Sequence, residues 1–158
     1  MDKETKQDFT RRIAQSNRAQ LVVICYEIGL SYLEEAKKAG EEKEWEHFRT
    51  ALRQSDQVLA HLQDRLNFQY DLSRNLYQLY DFCRGQLMKA MYQQSVMPLQ
   101  QTEVILKELH EAFQTVSQQD GSAPLMQNTQ QVYAGMTYGK EQLNENFQDL
   151  DSSRGFFA

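Results

Sequence analysis

The sequence predicts an all-α protein, an antiparallel four-helix bundle with an extra N-terminal segment or short fifth helix. The chain runs for about a hundred residues before its first proline, Pro98, so nothing in that stretch has to break a helix. Four stretches repeat apolar residues at steps of three and four, which is the spacing of one helix face. The connections between them are short, which favours neighbouring helices that run in opposite directions.

The first of these helices is predicted over residues 17–39. Asn17 and Gln20 have the spacing of a capping box, which marks a helix start. Gly40 is predicted to end the helix, because glycine is common just beyond a helix C-terminus. The apolar row that we expect to face the core is Leu21, Cys25, Ile28, Tyr32 and Ala36.

The second helix is predicted over residues 43–66 and carries the most regular pattern. Its apolar positions alternate steps of three and four, with Ser55 as the one small polar interruption: Trp45, Phe48, Leu52, Ser55, Leu59, Leu62 and Leu66. At 1.5 Å per residue such a helix is about 36 Å long. A helix of that length needs partners of similar length, which is the architecture of a bundle.

Two further helices complete the predicted bundle. The third spans about residues 72–94, with an inner stripe of Leu72, Leu76, Leu79, Cys83, Leu87 and Ala90. The fourth begins near Pro98, a residue that suits the first helical turn. Its inner stripe is Leu99, Thr102, Leu106, Leu109, Phe113 and Val116.

The pattern divides the chain into three parts. Residues 1–15 are predicted to form a mobile N-terminal segment, and residues 16–117 form the helical bundle. Residues 118–158 are predicted to be a linker and a C-terminal tail. One short amphipathic helix is allowed in that tail by the spacing of Leu143, Phe147 and Leu150.

Charge and hydropathy exclude two classes of partner. The net charge of −5 disfavours a nucleic-acid binder, which needs a basic face to replace counterions. The longest apolar run, residues 21–26, is too short to span a membrane, so we expect no membrane insertion. The N-terminus is charged and lacks the apolar core of a secretory signal. The predicted location is cytoplasmic.

The sequence contains little that indicates catalytic chemistry. Glu44 and His47 have the Glu-x-x-His spacing of di-metal bundles, but no second pair occurs, because Val58 and Lys107 stand three positions before the other histidines. No phosphate-binding loop, nucleophile elbow or HExxH motif is present. We therefore expect a protein that is not an enzyme, with no catalytic residues, no metal site and no cofactor.

Surplus apolar residues are the most informative feature. The third helix carries tyrosines and methionines beside its inner stripe, more than the three apolar positions in seven that a bundle helix needs. Tyrosine and methionine suit a surface that holds another protein. The alternative is a wider core, or burial under a fifth helix or the tail. The predicted partner-binding residues are Tyr26, Tyr77, Tyr80, Arg84, Met88 and Met91.

The N-terminal segment is predicted to be a displaceable cover for this groove. Phe9 and Ile13 are four residues apart, so one helical turn would place both on the same face. The residues around them are charged, which makes the segment too polar for a core. The alternative is simple disorder of a chain end.

Two groups of residues resemble segments of the flagellin-specific export chaperone family, FliS. In and just before the third helix the matching residues are Leu66-Asn67, Asn75-Leu76-Tyr77-Gln78-Leu79-Tyr80-Asp81-Phe82, Leu87 and Ala90. In the first helix they are Tyr26-Glu27 and Tyr32-Leu33-Glu34-Glu35-Ala36. The resemblance extends over about residues 10–116 in order and spacing. It departs from the family at Cys25, Glu27 and Ile28-Gly29, where leucine, aspartate and Gly-Ala are usual.

The resemblance implies a cytoplasmic chaperone that binds the C-terminal segment of flagellin. Such a protein would prevent premature polymerisation and help to present flagellin to the flagellar export apparatus. The resemblance also implies that the N-terminal segment folds over part of the flagellin-binding surface. Two alternatives stay open: a helical adaptor that binds another export or flagellar protein, and a metal-binding or ligand-binding bundle.

Overall fold

A computed structural model describes residues 1–126, which form five helices and no strand. The helices are α1 (Lys3–Ala14), α2 (Arg18–Glu41), α3 (Trp45–Asp64), α4 (Asp71–Gln93) and α5 (Leu99–Gln119). The all-α prediction is confirmed. The predicted tail helix falls outside the described residues.

Helices α2 to α5 form the four-helix bundle. Each packs against the next in the chain, and α5 returns to pack against α2, so α2 and α4 lie diagonally across the bundle. Helix α1 is an additional helix that packs along α2. The predicted N-terminal segment is therefore helical in this structure, and its mobility stays a prediction.

The start of α2 has the predicted capping box. The backbone N–H of Gln20 donates to Asn17 Oδ1 at 2.9 Å, and the backbone N–H of Asn17 donates to Gln20 Oε1 at 3.0 Å. These two bonds satisfy N–H groups that a helix start otherwise leaves unpaired. The boundary between α1 and α2 is thus fixed by local sequence.

The end of α2 differs from the prediction. The helix continues through Gly40 to Glu41, so Gly40 is not its stop signal. A Cβ atom at Gly40 would lie 2.6 Å from Cγ1 of Val96 and 3.1 Å from the ring of Phe48. Glycine is needed there for close packing. The left-handed backbone of the following turn belongs instead to Lys43, whose φ is 60°.

The predicted inner row of α2 is wrong except for Ala36. The residues of α2 that belong to the bundle core are Tyr26, Leu33, Ala36 and Ala39. The row centred on Cys25 and Ile28 is half-buried instead. Both sides of α2 carry apolar residues. One side packs against α1, and the other packs against the bundle. Spacing alone therefore does not show which row faces the core.

The other helices agree more closely with the sequence pattern. In α3 the seam from Phe48 to Leu62 is buried, and the hydroxyl of Ser55 donates to the carbonyl oxygen of Gly29 at 3.1 Å. In α4 the buried residues are Ser73, Leu76, Tyr80, Cys83, Leu87 and Ala90. The predicted Leu72 is 60% exposed at the helix start, and Leu79 is half-buried. In α5 the buried residues are Leu99, Thr102 and Leu106.

Candidate partner-binding surfaces

Two of the predicted partner-binding tyrosines lie in the core. Tyr26 and Tyr80 are each 1% exposed, and their hydroxyls share a hydrogen bond across the centre of the bundle. Burial raises the pKa of both hydroxyls, so both stay neutral. Each hydroxyl supplies the partner that the other needs, which allows two tyrosines to occupy an apolar interior. Their predicted position on an exposed stripe is wrong.

The remaining stripe residues form one continuous flank of α4. We call Tyr77, Arg84, Met88 and Met91 the α4 flank. Tyr77 is 44% exposed and Met88 is 49% exposed, whereas Met91 is half-buried against the core. The flank faces the side of α3, because Gln63 Nε2 donates to the carbonyl oxygen of Tyr77. It is an accessible apolar strip of about four helical turns.

Arg84 connects the α4 flank to α3. Its Nε donates to Asp56 Oδ1 at 2.7 Å, and one terminal nitrogen donates to Asp56 Oδ2 at 3.2 Å. The other terminal nitrogen donates to Gln63 Oε1 at 2.9 Å. The guanidinium is therefore engaged within the chain. These hydrogen bonds hold the middle of the α4 flank, between Tyr77 and Met88, against α3.

Aromatic residues of the α3–α4 loop extend the flank, and sequence reasoning missed them. Phe68 is 55% exposed and Tyr70 is 67% exposed. The ring of Phe68 lies 5.9 Å from the ring of Tyr77, measured between centroids. The sequence did contain a signal for this surface, because large apolar residues in a short polar loop indicate an exposed apolar patch.

A cleft opens at the end of the bundle where α2 begins and α3 ends. Its volume is about 790 Å³. We call it the end cleft, and its apolar walls include Leu21, Val22, Cys25, Leu66, Phe68 and Phe113. Tyr80 reaches its inner wall, so the cleft connects the tyrosine pair to the surface.

A shallower apolar depression lies on the other side of α4, against α5. Its volume is about 430 Å³, and it is formed by Phe82, Val104 and Ile105 with two glutamines. Phe82 is 42% exposed and Val104 is 56% exposed. This α5-side depression was not predicted, since both residues fall outside the inner stripes.

Helix α1, with the predicted cover residues Phe9 and Ile13, lies on the outer side of α2. Both residues are half-buried, and no residue of α1 is fully buried. Ile24 is only 4% exposed although it lies outside the bundle core, which is consistent with a covered outer face. The α4 flank is diagonally opposite α2. The predicted cover and the predicted stripe therefore lie on different sides of the bundle.

Ion pairs hold both ends of α1. Near its C-terminus, Arg12 contacts Glu27 at 2.6 Å, and His110 of α5 contacts the same carboxylate at 3.4 Å. At its N-terminus, the amino group of Met1 contacts Glu35. Glu27 and Glu35 of α2 therefore pair with cations at opposite ends of the N-terminal segment, and α1 and α2 run antiparallel.

The Glu44–His47 pair forms part of a hydrogen-bonded cluster. His47 Nε2 lies 2.6 Å from Glu35 Oε1, and His47 Nδ1 lies 3.4 Å from Glu44 Oε2. These two carboxylates raise the pKa of His47. Among residues 1–126, no three histidine, cysteine or acidic side chains are grouped closely enough to hold a metal ion. None of the described helices is both long and apolar enough to cross a membrane.

Comparison with known proteins places this arrangement in a family. A family model described as "Flagellar protein FliS" matches residues 1–120, which include all five helices described above. No curated protein shows a match to this sequence. The FliS family is a family of chaperones for flagellar export rather than of enzymes. Because the match covers most of the chain and agrees with the helical bundle, the protein belongs to the FliS family.

Proposed function

We propose that this chain is a cytoplasmic export chaperone that binds the C-terminal region of flagellin. In this role it prevents premature polymerisation and supports export, with the flagellar export apparatus as a second partner. The observation that carries the proposal is the α4 flank in a FliS-family bundle, where Tyr77 and Met88 are exposed next to the half-buried Met91.

The chemistry of the α4 flank suits an amphipathic helix. Tyr77, Arg84, Met88 and Met91 are spaced by seven, four and three residues, so they follow one side of α4. A partner helix with apolar residues at the same spacing could lie along this strip. Methionine adapts its shape to irregular partners, and tyrosine offers both apolar area and a hydroxyl.

A chaperone of this kind needs no reaction chemistry. A flagellin terminus that forms helices in the filament exposes apolar faces while it is still unassembled. Covering such a face removes apolar area from water, which is favourable by roughly 25 cal/mol per Å². Arg84 keeps the strip in place through Asp56, so less ordering is required when the partner binds.

The test is a binding titration with the C-terminal segment of the host flagellin. Tyr77→Asp combined with Met88→Asp should weaken binding by about thirtyfold, which corresponds to roughly 2 kcal/mol for a lost anchor. Both side chains are largely exposed, so circular dichroism should show helicity near that of the wild type.

Phe82→Asp is the matched control. It places the same charge on an exposed aromatic position of α4, on the side that faces α5. We expect it to bind flagellin normally. Equal binding by the wild type and the double variant would exclude the α4 flank. Failure of the folded wild type to bind flagellin would instead favour another flagellar or export protein as the partner.

A further inference from the structure

The end cleft has apolar walls and a basic rim. It therefore suits a segment that carries both apolar and acidic side chains. Its walls are contributed by α2, α3, α4, α5 and the α3–α4 loop. Its rim carries the guanidinium groups of Arg18 and Arg65 together with His61, against the single carboxylate of Asp64. Both arginines are exposed and make no ion pair among the described residues.

Residues 120–125, which follow α5, are held beside this cleft. Asp120 and Ser122 form a tight turn, in which the backbone N–H of Ser122 donates to Asp120 Oδ1 at 2.9 Å. Asn17 Nδ2 then donates to the carbonyl oxygens of both residues, at 3.3 Å and 3.2 Å. The backbone N–H of Leu125 donates to the carbonyl oxygen of Ser16 at 3.0 Å.

These bonds bring Leu125 to the cleft. Ser16 and Asn17 are 4% and 2% exposed, so residues 120–125 are hydrogen-bonded to buried groups between α1 and α2. Leu125 itself forms part of the cleft wall. The described part of the chain therefore ends, at Met126, next to an open apolar cavity.

The sequence that follows contains a segment complementary to the cleft. Leu143, Phe147 and Leu150 are spaced by four and three residues, so one helical face would present all three. Residues 141–151 also contain four acidic side chains and no lysine or arginine. Apolar residues thus match the walls, and negative charge matches the arginines of the rim.

We propose that residues 141–151 of this chain dock in the end cleft, with Leu143, Phe147 and Leu150 against its apolar walls. The connecting residues 127–140 can extend about 3.3 Å each, which reaches any part of a cleft that begins at Leu125. A short tether gives the docking segment an effective concentration on the order of millimolar. A modest intrinsic affinity is then enough to keep the cleft filled.

When residues 141–151 are docked, an outside ligand can bind in the end cleft only by displacing them. None of the four residues of the α4 flank lines this cleft, although Phe68 lies between the two surfaces. The inference therefore does not depend on flagellin being the partner, and its test uses no flagellin.

Cys25 supplies the reporter for the test. It is half-buried in the cleft wall, whereas Cys83 is buried in the core. The full chain is treated with a maleimide, and peptide mass mapping gives the modification rate of each cysteine. In the variant with Leu143→Asp, Phe147→Asp and Leu150→Asp, Cys25 should react about tenfold faster, because an occupied cleft protects it for most of the time.

The matched control is Phe156→Asp with Phe157→Asp, which places charges on the same tail outside the docking segment. It should leave the Cys25 rate unchanged. An unchanged rate in the triple variant overturns the proposal, and so does an increase in the control of equal size. Protection that rises with protein concentration would show that the tail of a second copy fills the cleft, which also overturns docking within one chain.

A second measurement tests the charge match. A labelled peptide of residues 139–153 is titrated into the full-length triple variant, whose own tail no longer competes. Arg18→Glu with Arg65→Glu should weaken this binding at least about tenfold at low salt. Arg53→Glu with Lys89→Glu reverses two exposed charges away from the cleft and should leave it unchanged. Equal affinities for both charge-reversal variants would contradict the proposal.

Discussion

Helix α2 has two contacts of opposite character, one toward the bundle and one toward α1. On the inner side, Tyr26, Leu33 and Ala36 are at most 1% exposed and belong to the apolar core. On the outer side, α1 has no fully buried residue, and its ion pairs reach Glu27 and Glu35. One side of α2 thus belongs to the bundle core, and the other side is the surface on which α1 packs.

The five helices are therefore not equally stable parts of one unit. Apolar burial is not screened by salt and depends little on pH, whereas partly exposed ion pairs contribute at most about 1 kcal/mol each and are screened by salt. An isolated helix of twelve residues such as α1 is marginal in water. Local opening of α1 should therefore precede unfolding of the bundle.

The largest expected effect separates the two sides of α2 directly. Leu33→Ala on the inner side should lower the free energy of unfolding by about 2–5 kcal/mol, because it leaves a cavity in the core. Ile28→Ala removes a half-buried side chain from the other row of the helix and should have less than half of that effect. Urea unfolding followed by circular dichroism measures both. Equal losses would mean that the bundle core extends around α2.

A smaller effect is expected when α1 is removed. Deletion of residues 1–14 takes away Phe9 and Ile13 but no residue of the bundle core. We expect α1 to cover a second contact for flagellin on α2 for part of the time, which lowers the apparent affinity. The deletion exposes that contact permanently and should therefore tighten binding by less than about tenfold. Calorimetric titration gives the affinity. A large loss of binding in a folded variant would instead make α1 part of the binding surface.

The smallest expected effect concerns the pH dependence of the α1 contact. Burial raises the pKa of Glu27, but the hydrogen bonds and charges of Arg12 and His110 outweigh burial, so the pKa lies below its ordinary value. A carboxyl group with a lowered pKa contributes stability above its ordinary pKa, and that contribution is lost as the pH falls through the folded-state pKa.

Amide hydrogen exchange in α1 should therefore accelerate as the pH is lowered from 7 to about 4, after correction for intrinsic exchange rates. Glu27→Gln should flatten this response and shift the opening free energy by no more than about 1 kcal/mol at neutral pH. Lys107→Gln, which removes an exposed ion pair within α5, serves as the control and should not alter exchange in α1. An identical pH response in wild type and Glu27→Gln would show that Glu27 does not cause it and would assign it to the Met1–Glu35 pair.

The sequence predicted the helices better than it predicted their orientation. The seam of α3 was predicted because one side of that helix is apolar and the other is polar. Helix α2 is apolar on both sides, so its row from Leu21 to Ala36 could not be distinguished from the row that contains Tyr26. Gly40 was misinterpreted for a related reason, since glycine serves both at helix ends and at close contacts.

The candidate surfaces were predicted only in part. Tyr77 and Met88 are exposed on one flank, in agreement with the surplus stripe. Tyr80 has the same amphipathic side chain, but it is buried because Tyr26 supplies a partner for its hydroxyl from the opposite helix. That pairing depends on tertiary contact between α2 and α4. Local sequence pattern contains no information about it.

The hydrogen bond from Ser55 to the carbonyl oxygen of Gly29 bears on how a newly made chain selects one alignment of its helices. Apolar seams that repeat every seven residues permit two helices to associate after sliding by one repeat, with nearly the same burial. In the slid arrangement the Ser55 hydroxyl would lose the Gly29 carbonyl and face apolar side chains, with only a carbonyl of its own helix to accept its proton, which costs about 1 kcal/mol. One small polar residue in the seam thus makes the native alignment of α2 and α3 the most stable one during synthesis.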